Sequence, residues 1–173
     1  METLTTFGVA GLLRAGAAEI RAEVEALPEE VLAWHPMPGE WCVKECLGHI
    51  IEAERRGFAG RIRVLLEHDG DATLVSWDQT AVARERNDCD ADSAQLLLEF
   101  LGLREASVSL VASLRPDDMK RGGEHPVVGH LTVGEIVNEW VHHDRNHFKQ
   151  MLSNVQDYVW DSMGSARKFS HPG

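Results

Sequence analysis

The chain has 173 residues, 43% of them hydrophobic, and a formal net charge of −11 at pH 7, which fits one domain with its own core. No apolar run is long enough to span a bilayer, and so acidic a surface repels phosphate backbones, which argues against nucleic-acid binding. Three cysteines make no disulfide framework, and Met1-Glu2-Thr3-Leu4 does not open a leader segment, so a reducing, cytoplasmic setting is expected.

Helical periodicity dominates. In residues 6–27, Val9, Leu12, Leu13, Ala17, Ile20 and Val24 recur at helical spacing, and Pro28 follows. Trp34-His35-Pro36-Met37-Pro38-Gly39 reads as a loop. A second helix over residues 42–68 buries Leu47, Ile50, Ile51, Phe58, Ile62, Leu65 and Leu66, and Asp69-Gly70-Asp71 ends it. Residues 69–90 form a long connection with a short helix near residues 77–86; such lengths are uncommon unless they cross a bundle or cover a site. The third helix spans residues 92–114, with Leu96, Leu97, Phe100, Leu103, Val108 and Val111 inward. Thr132, with Glu135 three residues on, makes a capping box that starts a fourth helix running to about residue 152. Tyr158, Trp160 and Phe169 in the tail are expected to pack in part on the body, and the last few residues to be disordered. Strand alternation is nearly absent and no linker or repeat divides the chain. The expectation is a single all-α domain over residues 1–173, a four-helix bundle with a long crossover between helices two and three.

Three histidines stand out. His143 and His147 are four residues apart, so they share one helical face. Val133, Ile136, Trp140, His143, His147 and Met151 follow steps of three and four and form an inward stripe. His142 shares its face with Glu135, Asn138, Asn146 and Lys149, a solvent face, so His143 is the chosen residue. His49, on the second helix, shares a face with Cys46, Ala53, Gly57 and Gly60; small residues there leave room for a cavity or allow close helix packing. Two imidazoles at this spacing can bind one divalent metal, and a third from another helix would leave coordination positions open, the mark of a catalytic site. A packed or surface histidine pair is the equally weighted alternative.

Competing constellations are weaker. Cys42, Cys46 and His49 read Cys-x3-Cys-x2-His, a possible zinc motif without a second half, and both cysteines also suit a buried apolar position. A di-iron site needs two Glu-x-x-His motifs; only Glu139 and His142 match. Cys89 lies in the acidic run Asn87-Asp88-Cys89-Asp90, a poor setting for a nucleophile.

The strings Pro38-Gly39-Glu40-Trp41-Cys42-Val43 through Gly48-His49, and Leu131-Thr132-Val133-Gly134-Glu135 through His143-Asp144-Arg145-Asn146-His147-Phe148-Lys149-Gln150, resemble the DinB/YfiT superfamily. Trp77-Asp78-Gln79, His125-Pro126 and Gly129 agree with it. The resemblance implies a four-helix bundle with a long crossover. It also implies a divalent metal, zinc or nickel, held at His49, His143 and His147, and a homodimer. Characterised relatives include transferases that use a low-molecular-weight thiol, so the implied partners are a small-molecule electrophile and a thiol co-substrate. Cys42 departs from the family, which commonly carries Ser or Thr there; a thiol is a weaker helix cap.

On this reading the protein is a metal-dependent thiol S-transferase or hydrolase. The alternative is a non-catalytic, stress-related binding bundle with an empty site. Three neutral imidazoles would leave the metal's charge intact and so lower the pKa of a water or thiol beside it. Its catalytic residues are not identified. Asp144 either orients an imidazole or pairs on the surface with Arg145 or Lys149; Glu54 is a weak general-base candidate; Arg56 or Arg145 could receive a substrate carboxylate. Trp41, Trp77 and Trp140 line a pocket or pack in the core.

Overall fold

Four long helical rods account for the architecture. The computed structural model describes residues 4–68 and 72–170. Helix α1 is Thr6–Ala26, capped by the Thr5 hydroxyl, which accepts from the Gly8 amide at 3.1 Å. A single turn, α2 (Glu29–Leu32), leads into the irregular loop predicted at residues 34–39. The second rod is built from α3 (Val43–Glu52), a wide π-helical stretch at Ala53–Phe58, and α4 (Ala59–Glu67). The Asp69-Gly70-Asp71 stop lies outside the described residues.

The crossover carries β1 (Ala72–Thr73), α5 (Gln79–Arg86) and a 3-10 turn at Asp88–Asp90. Helix α5 starts two residues later than predicted, because the Asp78 carboxylate caps it by accepting from the amides of Thr80 and Ala81, both at 3.0 Å. The third rod is α6 (Ser93–Ser113) and the fourth is α7 (Val133–Trp160), whose Thr132–Glu135 capping box forms as predicted. Helix α7 runs well past the expected end near residue 152. The buried Asn154 explains the extension, since its amide donates to the Trp41 carbonyl at 2.7 Å and holds the extra turns on the body. A 3-10 stretch at Asp161–Ala166 and α8 (Arg167–Ser170) follow. In this tail Tyr158 packs edge-on against Trp34, while Phe169 is exposed. The final residues, expected to be disordered, lie in part outside the described residues.

One feature had no signal in the alternation pattern. Strands β2 (Gly122–His125) and β3 (Gly129–Thr132) form an antiparallel hairpin, and β1 adds to β2 in parallel. The strands have two to four residues, too short for alternation to be read. This patch ties the crossover to the entry of α7. Gly123 is required there, since a Cβ at that position would lie 2.4 Å from the Ala72 carbonyl oxygen.

The helices are not arranged in simple chain order. Helix α1 packs on α6 and α7, and α3 packs on the same two. The core divides into two apolar halves. One contains Leu13, Ala53, Phe58, Val108 and Trp140; the other contains Ala17, Ile50, Ile51, Phe100 and Met151. On three rods buried or half-buried polar residues lie at or close to the boundary between the halves: His49, Glu52 and Glu54 on the second, Arg104 on the third, Asp144 and His147 on the fourth. The candidate site sits in this polar layer.

Candidate metal centre

The three predicted histidines come together. His49, His143 and His147 each bring a ring nitrogen to within 4.8 Å of the others. His49 Nε2 and His143 Nε2 are 2.9 Å apart, and the ring centroids of His147 lie 4.4 Å from both partners. His142 is exposed, as its helical face predicted.

Local structure sets this geometry. The turn of α7 stacks His143 and His147, and α3 packs against α7 to deliver His49. The π-helical stretch begins four residues after His49 and widens the rod where Gly57 and Phe58 approach the site. It also separates the roles of the small residues. Ala53 and Gly57 line a cavity of about 240 Å³ together with His49, His143 and Trp77. Gly60 instead admits the helix's own backbone: a Cβ there would lie 2.1 Å from the Arg55 carbonyl oxygen, which the π turn pushes out of register. Gly48 has a third role. Its missing Cβ makes space for Asp88 Oδ2, which would otherwise lie 1.7 Å away, and so lets the crossover dock one residue before His49.

The donor set fits a divalent cation. Burial, reinforced by the neighbouring rings, lowers the pKa of His49 to about 4 and that of His143 to about 2. Burial also lowers that of His147. All three are therefore neutral near pH 7, the form that ligates metal. His147 Nδ1 lies 3.1 Å from Gln150 Oε1. That oxygen only accepts, so Nδ1 carries the proton and Nε2 keeps its lone pair. The 2.9 Å between the facing nitrogens of His49 and His143 lies within twice the metal–nitrogen bond of about 2.0–2.1 Å. His143 Nδ1 is buried without a hydrogen-bond partner among the described residues.

Aromatic rings flank the site. Trp41 lies 4.9 Å from His49 and 6.2 Å from His147 between ring centroids, and Trp77 stacks on the far side of His49 at 5.9 Å. Trp140 belongs to the core, fully buried and stacked on Phe58 at 5.0 Å.

Two carboxylates singled out in the sequence have a different role from the one weighed there. Glu54 is 1% exposed and faces Arg104 and Ser107, so it is a buried structural group and not a base at the site. Asp144 is 4% exposed and pairs with neither Arg145 nor Lys149; Arg104 donates to it at 2.5 and 3.2 Å. Arg145 pairs with Glu19, and Arg56 pairs with Glu52 while lying over Trp77, so both are already engaged. Sequence reading missed Arg104 altogether. It is 2% exposed on α6 and donates to the Leu13 carbonyl of α1 at 3.0 Å, to Glu54 of the second rod and to Asp144 of α7, joining all four rods beside the histidines. An arginine at an inward α6 position, between Phe100 and Val108, was the available signal.

Arg61 was also missed. It lines the 240 Å³ cavity and a larger apolar cleft of about 1250 Å³ that includes Leu114, Met119 and Leu131. Its Nη2 is 3.0 Å from His125 Nε2, its Nε is buried without a partner, and among the described residues no carboxylate pairs with it. The site thus combines three neutral imidazoles, a walled cavity and a cation with unused donors.

Comparison with known proteins bears on the family and the fold. The profile of the DinB superfamily matches residues 12–151. The uncharacterised protein YuaE of Bacillus subtilis (strain 168) is 27% identical over 143 residues, 75% of this chain and 86% of that protein. The solved structure of YfiT from Bacillus subtilis superposes with a TM-score of 0.82 at 18% identity, over 92% of this chain and 93% of that one. YfiT is described as a probable metal-dependent hydrolase with an unusual four-helix bundle topology.

Proposed function

The chain belongs to the DinB superfamily, and from that premise we propose that it is a metal-dependent enzyme, a hydrolase or a thiol S-transferase. His49, His143 and His147 hold a divalent cation, zinc or nickel. The observation that carries the reading is the convergence of three neutral imidazoles, two of which, His49 and His143, line a cavity. When bound, the cation supplies the charge that makes a water or a low-molecular-weight thiol acidic enough to act as a nucleophile near pH 7.

The chain's own residues do the rest. Gln150 fixes the His147 tautomer, so the ring presents a lone pair. Trp41 and Trp77 cover His49 and keep bulk water off the ligand ring. Arg61 has spare donors in the cavity, so it receives an anionic group of the substrate and orients the electrophilic carbon toward the histidines. The substrate class is a small electrophile bearing a carboxylate or similar anion, with its apolar part in the larger cleft. The proposal includes a homodimer, read by sedimentation velocity, and no nucleic-acid or membrane partner. No helix among the described residues is long and apolar enough to cross a membrane.

The test is elemental analysis of untagged protein, with His49→Ala, His143→Ala and the exposed His142→Ala as control. Near-stoichiometric zinc or nickel, lost in the first two variants and kept in the third, supports the reading and justifies screens of electrophiles with and without thiol. No metal uptake after incubation with either ion leaves the alternative, a non-catalytic binding bundle.

A further inference from the structure

A second cluster of metal-binding side chains includes Cys42, the residue after Trp41. His35, Cys42 and Cys89 each bring a ligand atom to within 4.8 Å of one another. We propose that these three residues form a thiolate-rich site for zinc, separate from the three-histidine centre. The inference does not rest on the reading of that centre.

Two segments far apart in the chain supply the three residues. His35 lies in the loop before α3, Cys42 is the N-cap of α3, and Cys89 is in the 3-10 turn that ends the crossover. Their meeting is therefore a product of the tertiary fold. The tautomer of His35 is settled by its surroundings. Nδ1 lies 2.7 Å from the Glu40 carbonyl oxygen, which only accepts, so Nδ1 carries the proton. Nε2 then has a lone pair, and it faces Cys89 Sγ at 3.4 Å. A histidine whose other nitrogen donates to a carbonyl is the usual arrangement of a metal ligand.

The cysteines are free. Cys42 is fully buried at the N-cap of α3, and burial pushes its thiol pKa up, so the thiol keeps its proton until a metal displaces it. The carboxylates beside Cys89 are turned to other partners: Asp88 is held by Arg86 at 2.7 and 2.9 Å, and Asp90 accepts from Asn87 at 2.9 Å. Two sulfurs and one nitrogen select zinc over the harder cations that carboxylates bind. Binding forms two sulfur–zinc bonds and one nitrogen–zinc bond, and the two thiol protons pass to solvent. Solvent completes the fourth position on the side of the exposed His35. The site clips the crossover to the start of α3, next to Trp41, whose ring lies against His49 and His147.

The test is cobalt titration of the reduced, untagged full chain, followed by displacement with zinc. A near-ultraviolet thiolate-to-cobalt charge-transfer band, absent in Cys89→Ser and His35→Ala and removed by zinc, is the expected result; histidine-bound cobalt does not give that band. Cys89 and His35 are not fully buried, and circular dichroism checks that their variants stay folded. Cobalt uptake without the band, or a band that survives in Cys89→Ser, overturns the proposal. So does reduced protein that takes up no thiolate-bound metal while air oxidation joins Cys42 to Cys89.

Discussion

Arg104→Met removes one cation and leaves two buried carboxylates. The wild-type guanidinium is 2% exposed and satisfies Glu54, both oxygens of Asp144 and the Leu13 carbonyl. Methionine keeps most of the side-chain volume against Phe100 and Trp140, the rings over which the guanidinium lies at 4.9 and 5.9 Å. The loss is thus mainly electrostatic, and removing one partner of a buried ion pair costs about 3–5 kcal/mol. With a urea m-value of about 2–3 kcal/mol per molar for a chain of this size, the unfolding midpoint should fall by roughly 1–2 M. Burial already holds the carboxyls of Glu54 and Asp144 above their ordinary pKa values, against the pull of Arg104. Without Arg104 they rise further, so the deficit should be larger at pH 7 than at pH 5. Glu54→Gln and Asp144→Asn added to Arg104→Met neutralise the whole cluster and should recover a large part of the loss. The assay is urea unfolding followed by far-ultraviolet circular dichroism. A midpoint shift under about 0.5 M at unchanged m, or a neutral triple variant no more stable than the single one, would refute the reasoning.

Four further outcomes are expected. Gly48→Ala drives a methyl into Asp88 and should cost about 1–3 kcal/mol, read by thermal melting, with faster proteolysis of the crossover; a wild-type melt would contradict this. Gln150→Leu frees the His147 tautomer and should weaken metal binding about 10–100-fold by competition with a chromophoric chelator, with helicity unchanged. Arg61→Gln should raise KM for an anionic substrate more than it lowers kcat, while metal content stays at the wild-type level; an unchanged KM removes Arg61 from the substrate site. Metal-free protein should lose stability as pH falls from 6.5 toward about 4, because His49 stays neutral when folded but takes a proton when unfolded. That contribution is on the order of 3 kcal/mol, and urea midpoints at pH 7 and pH 5 should differ less in His49→Ala than in wild type.

Periodicity along single helices was legible from the residues alone. The stripe from Val133 to Met151 assigned His143 to the interior and His142 to solvent, and Thr132 with Glu135 marked the start of α7. Both depend on contacts three or four residues apart, which the helix repeat dictates. The π turn at Ala53–Phe58 left no such trace, because apolar spacing does not report which carbonyl an amide chooses. Arg104 drew no reading from the sequence, because its partners lie 40 and 50 residues away and meet it only in the fold. His35 and Cys89 are separated by 54 residues, and only the docked crossover makes them neighbours. The amino-acid sequence thus determined the rods, their inward faces and the family resemblance through the three histidines. Tertiary structure alone decided which polar groups meet in the layer between the two apolar halves. The physical reason is that a buried charge must find its partner through space, and spacing along one helix carries no record of that partner.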